Sequence, residues 1–168
     1  MNTAGVGLII AGVGFYLMTR QTDIADPIIS EALDVIGVQP RGIANNNPGN
    51  IEYTGDQWQG IDSDMPSDGR FVRFTAPEYG IRAMGRILNT YRDKYGANTI
   101  YKIINRWSPP NENNTASYID EVANKLDIAP HDPVPYSLRP HLIAAMIKRE
   151  NGVQPYSLQE IEYGLSLA

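Results

Sequence analysis

Glu150 is the side chain whose type and setting best suit proton transfer. It closes an apolar run, Leu142-Ile143-Ala144-Ala145-Met146-Ile147, and Asn151-Gly152 follows as a helix stop. A carboxyl group held near apolar side chains is kept in the acid form, which is what a general acid needs to protonate a leaving oxygen. The plainer reading is a helix-end residue, but a negative charge there is unfavourable by roughly 0.3–1 kcal/mol. Glu112 is the second carboxylate. It lies between Pro109-Pro110 and Asn113-Asn114-Thr115, just before a helix start that favours its charge. That setting suits a base, a charge stabiliser or a cap. Two such groups are what cleavage of a glycosidic bond requires. Glu52, on a short polar-apolar run, is a further carboxylate of this kind.

The stretch Gly42 to Gly60, GIANNNPGNIEYTGDQWQG, supplies a different chemistry. Asn and Gly tolerate left-handed backbone and Pro48 presets a corner, so Asn47-Pro48-Gly49-Asn50 reads as a β-turn. The amides of Asn46, Asn47 and Asn50 can form paired hydrogen bonds to sugar hydroxyl and acetamido groups. Trp58 and Trp107 offer flat apolar faces of the kind sugars stack on. A surface hairpin is the plainer reading of such a turn, and core packing the plainer reading of a tryptophan.

The elements that must position these groups follow from periodicity and punctuation. The run Gly69-Arg70-Phe71-Val72-Arg73-Phe74 alternates and can pair with Ile51-Glu52-Tyr53 in a hairpin. Helices are predicted from Pro77 to about Tyr95, from Ile100 to about Arg106, from Asn114 or Thr115 onward, from Leu138 to Arg149, and from Leu158 to Leu167. Ser157 with Glu160 has capping-box spacing.

The 168 residues suffice for about one domain and include no Cys, which excludes disulfides and thiolate metal sites. Two histidines, His131 and His141, without any HExxH pattern argue against zinc, and no cofactor or metal is expected. The net charge is −5 and the fourteen basic residues are scattered, which argues against a nucleic-acid partner. Residues 1–19 carry no charge. At about 1.5 Å per residue they reach roughly 28 Å, enough to cross a bilayer core. They lack a basic n-region, so an uncleaved single-pass anchor is expected. The expected plan is therefore a transmembrane anchor at 1–20, a connector with a short helix at 21–40 beginning at Asp26-Pro27, and a soluble domain at 41–168.

Three segments carry a resemblance: Asn45 to Ile51 with Trp58-Gln59-Gly60, Arg106 to Thr115 with Tyr118-Ile119, and Ile147 to Tyr156. Together they resemble a family of small phage and prophage virion proteins that look lysozyme-like, with a turn of the form GI-R-NNNPGNI and a block of the form RWAPP-ENNT. The resemblance covers Gly42 to Gly164. The turn, W-x-G and an F-x-x-F strand are also similar to bacterial glucosaminidases and lytic transglycosylases. In those enzymes the catalytic Glu ends a helix before the turn. Here that segment offers only Glu31, and Glu150 comes after the turn, so the resemblance implies a circularly permuted arrangement.

The predicted elements make an α+β domain, mostly helical with one small antiparallel β-hairpin, behind an N-terminal transmembrane helix, and the resemblance implies that this domain is lysozyme-like. The resemblance adds Asn113, Tyr118 and Tyr156 to the substrate-binding candidates. The implied activity is a membrane-anchored glycosidase of muramidase or lytic transglycosylase type. It would open peptidoglycan during entry or lysis, with Glu150 and Glu112 catalytic. Its partners would be peptidoglycan glycan strands, the lipid membrane through residues 1–19, and other virion proteins. The alternative is a non-catalytic virion protein that keeps the fold and binds glycan or organises the capsid. An adaptor working through the Pro-rich loops is a third class, with no specific motif behind it.

Overall fold

The computed structural model describes residues 39–110 and 114–168. Six α-helices lie among them: α1 (Arg41–Ala44), α2 (Pro77–Tyr95), α3 (Ile100–Trp107), α4 (Thr115–Leu126), α5 (Arg139–Asn151) and α6 (Leu158–Ser166). A 3-10 turn, Tyr136–Leu138, leads into α5.

Each long helix starts and stops where its local chemistry dictates. Pro77 opens α2, where a missing N–H costs nothing, and Gly96 closes it in the left-handed region at φ 58°. The Thr99 side chain accepts from Lys102 N at the start of α3, and that of Asn114 accepts from Ser117 N at the start of α4. Ser157 and Glu160 form a reciprocal capping box at α6.

α5 is the central helix. Its run Leu142 to Ile147 is buried on every side, as expected of a helix that is apolar all round. It packs against α4, α6 and α1. Ile100 and Ile104 of α3, Val122 of α4 and Ile161 of α6 complete the core. α2 lies along α6 at close range: a Cβ on Gly164 would sit 2.7 Å from Ile81 Cβ, and one on Gly85 would sit 2.9 Å from Ala168 Cβ. The consequence for the site is positional. A helix fixed by burial along its length holds its charged last turn, Arg149-Glu150-Asn151, at one end of the core.

The α+β expectation is corrected. The described residues contain no strand, only isolated bridges such as Glu52 with Phe71 and Ser67 with Val72. One rung forms, from Val72 N to Ile51 O and from Tyr53 N to Arg70 O. Beyond it the ladder groups are taken by the asparagine turn. Phe74 N donates to Asn45 O, the Asn46 amide donates to Phe74 O, and the Asn47 amide donates to Val72 O. A strand whose groups are intercepted by side chains cannot extend a sheet.

The membrane expectation is corrected as well. Among the described residues no helix is long and apolar enough to cross a membrane. α2 has 19 residues, but Glu78, Arg82, Arg86 and Arg92 interrupt it with charge that hydrocarbon disfavours. The expected span at residues 1–19 and the connector helix begun by Asp26-Pro27 lie outside the described residues. A single-pass anchor, a lipid partner and a membrane location thus have no support in the described structure and are not carried forward.

Asp68 ties α1 to the loop before Phe71. It accepts from Arg41 Nε and Nη2 at 2.6 and 2.7 Å, from the Asn45 amide, and from the N–H groups of Arg70 and Phe71. The Arg41 guanidinium first, then the backbone and amide donors, hold its carboxyl far below the usual carboxylate range, with burial opposing them. A folded value below the unfolded one means that the stabilisation is fully present above about pH 4 and fades as the pH falls toward the depressed value. Asp68→Asn should therefore lower the melting temperature at pH 7 and flatten the acid limb of a melting-temperature profile below pH 4. A parallel profile in parent and variant would refute this.

Candidate functional site

A cleft of about 570 Å³ opens where the asparagine turn, the C-terminal end of α3, the start of α4 and the last turn of α5 meet. The turn forms because Asn46 and Asn50 adopt left-handed backbone at φ 52° and 49°, and Asn50 N closes back on Asn47 O at 2.9 Å. Two clasps join this turn to α5. The Asn50 amide donates to the Glu150 carbonyl at 3.2 Å, and the Asn151 amide donates to Pro48 O at 2.7 Å.

Glu150 stands at the centre. Its Oε1 accepts from Trp107 Nε1 at 2.9 Å and from the Tyr118 hydroxyl at 3.2 Å, and its Oε2 faces the Asn50 amide at 3.5 Å. Burial, then the Glu150 charge and the hydrogen bond to it, push the Tyr118 hydroxyl well above its ordinary value, so it remains a donor. Two ion pairs flank the centre: Glu52 with Arg70 at 2.8 Å, both mostly exposed, and Glu121 with Arg149 at 2.9 Å. Arg149 also lies 5.4 Å from the Tyr118 ring centroid. Tyr91, Ser108 and Asn114 line the wall. The result is a cleft with a fixed acceptor, guanidinium and amide donors, and aromatic walls. Those groups suit a ligand rich in hydroxyls with some apolar face.

The expected glycosidase chemistry is corrected here. A general acid must carry a proton and present it to a leaving group. Both Glu150 oxygens face donors from the protein, an arrangement that fits an acceptor. Glu52, the other described carboxylate in the cleft, is paired with Arg70 at the rim. Among the described residues no group of three or more His, Asp and Glu is placed to hold a metal ion. A peptidoglycan-degrading muramidase or lytic transglycosylase is therefore not supported. Glu112 and Asn113 lie outside the described residues.

The structure divides the other expected site residues. Asn50, Trp107, Tyr118 and Glu150 come together in the cleft, although they are far apart in the chain. Asn46 and Asn47 serve the backbone, with Asn47 wholly buried. Trp58 packs on a small second cluster with Val72, Phe74 and Ala83, away from the cleft. Tyr156 is a core residue, and burial pushes its hydroxyl up. Arg70, Arg149, Tyr91 and Asn114 line the cleft without having been singled out as ligand-binding. Arg149 could have been found from its place next to Glu150. The others carry no local signal.

This geometry defines a class: a small helical domain with one polar, aromatic-walled cleft centred on a carboxylate that its neighbours hold as an acceptor. Protein P5 of Pseudoalteromonas phage PM2 is 45% identical over 127 residues, which cover 74% of this chain and 79% of that protein. The chain belongs to the family of that phage protein. No family model matches it.

Proposed function

We propose that this chain is a phage virion protein that binds glycan in its cleft without cleaving it. The observation that carries the reading is Glu150, which accepts from Trp107 and Tyr118 inside a cleft walled by aromatic rings and lined by amide and guanidinium donors. Kinship with a phage protein supports the virion setting. The unit that carries the cleft is taken as residues 41–168. Asn50, Trp107, Tyr118 and Glu150 are the contacts assigned to the sugar.

Titration of the full-length chain with chitotetraose, followed by calorimetry, tests this. Binding should be seen, and Trp107→Ala should weaken it by about tenfold or more, as loss of a stacking aromatic does. Incubation with purified sacculi should retain the protein on the pellet and release no soluble muropeptides. Absence of binding to both chitotetraose and sacculi would sink the reading, and release of muropeptides would replace it with an enzymatic one.

A further inference from the structure

A second pocket lies at the other end of α5. It holds about 220 Å³ between α2, α3 and the 3-10 turn. Its floor is apolar, from Leu88, Ile103, Val134 and Leu142, and two guanidiniums, of Arg92 and Arg139, stand at its edge. We infer that this pocket captures the C-terminus of a partner polypeptide, with the terminal carboxylate on Arg139 and the last, apolar side chain on the Leu88–Leu142 floor.

Arg139 carries the inference. It is the first residue of α5, a position where the helix dipole disfavours a cation. Its Nη2 donates to Gly85 O at 2.7 Å and its side chain also engages the Tyr136 hydroxyl, which leaves N–H groups for a further acceptor. Its guanidinium lies 5.5 Å from the Tyr136 ring centroid. No carboxylate among the described residues pairs with it, whereas Arg92 is paired with Asp93 at 2.8 Å. Burial is the main influence on Arg139 and lowers its pKa, with Tyr136 and the more distant Asp93 charge acting against it. An incoming carboxylate would supply the direct ion pair that Arg139 lacks, in the bidentate form that suits guanidinium.

The pocket's size points to a chain end and not to a free small molecule. Pockets for drug-sized ligands hold about 300–1,000 Å³. This one is smaller, enough for a single anchoring side chain. Tyr136 stands at the rim 73% exposed, and Tyr and Arg are the residues that most often dominate protein interfaces. Capture of a terminal carboxylate is a recurrent mode of peptide recognition. The site shares no residue with the glycan cleft, so its failure would leave that reading untouched.

Fluorescence polarisation on the full-length chain decides the matter, with fluorescein-labelled Gly-Ser-Gly-Ser-Leu as free acid or as C-terminal amide. The acid should bind about tenfold more tightly than the amide, since one charge-assisted contact is worth that much or more. Arg139→Gln should remove the difference and Tyr136→Ala should weaken binding of both peptides. If Arg139→Gln fails to fold for want of its bond to Gly85, Arg92→Gln serves in its place and should reduce the difference. Equal binding of acid and amide, or an acid preference untouched in a folded Arg139→Gln, would overturn the inference. So would binding of sodium octanoate where neither peptide binds, since the site would then belong to small anionic amphiphiles.

Discussion

Asn47→Ala is expected to destabilise the domain by about 3–6 kcal/mol, a large share of the stability of a domain this size. Asn47 is wholly buried. Its amide donates to Ile51 O and to Val72 O, each at 2.9 Å, and its Oδ1 accepts from Ile51 N at 3.0 Å. Alanine removes all three partners and admits no replacement. Each buried backbone group left without a partner costs about 1–3 kcal/mol. Asn47→Asp should be nearly as harmful, because it keeps the acceptor but loses both donors. Urea denaturation with a two-state fit gives the measurement, and a loss under 1 kcal/mol for alanine would mean that Ile51 and Val72 find other partners.

Gly80→Ala has a sign opposite to the usual one. In an exposed helix interior, alanine in place of glycine gains up to about 1 kcal/mol. At Gly80 the new Cβ would lie 2.1 Å from Asn46 O and 2.8 Å from Pro48 Cδ. Asn46 O is backbone of the turn, so no side chain can rotate out of the way. Either α2 or the turn must move, and overpacking of this kind costs typically about 1–3 kcal/mol and sometimes more. The variant should melt lower than the parent. It should also lose affinity for chitotetraose, because displacing the turn displaces Asn50 from Glu150. A higher melting temperature would contradict the close approach of turn and helix.

The helices were legible because their signals are local. Pro77 and Gly96, Thr99, Asn114, and Ser157 with Glu160 mark their own boundaries within a turn of chain. Glu150 and Trp107 were legible as site candidates because each sits at a helix end beside unusual neighbours. What Glu150 does there was not legible. Its donors arrive from positions 32 and 43 residues earlier, and no local pattern reports an incoming hydrogen bond. The loss of the hairpin has the same cause. Alternation at 69–74 is a local signal, but the asparagines that intercept its hydrogen bonds lie 25 and 28 residues away. Asn46 and Asn47 show the ambiguity in its plainest form: an amide able to serve a sugar is equally able to serve a carbonyl. Trp58 and Tyr156 show the other, since an aromatic side chain suits a sugar face or a core and only burial separates the two.

The two clasps between turn and α5 join residues 100 and 103 positions apart. Closing a loop of that length costs entropy that nearby contacts do not, and such contacts tend to form late. On a ribosome the turn emerges well before its partners. Until α5 has left the exit tunnel, Asn50 and Pro48 have nothing to hold, and the half-built cleft has no floor. Ligand binding would thus report a finished chain: nascent chains released short of Asn151 should be unable to bind, however well α2 to α4 have formed.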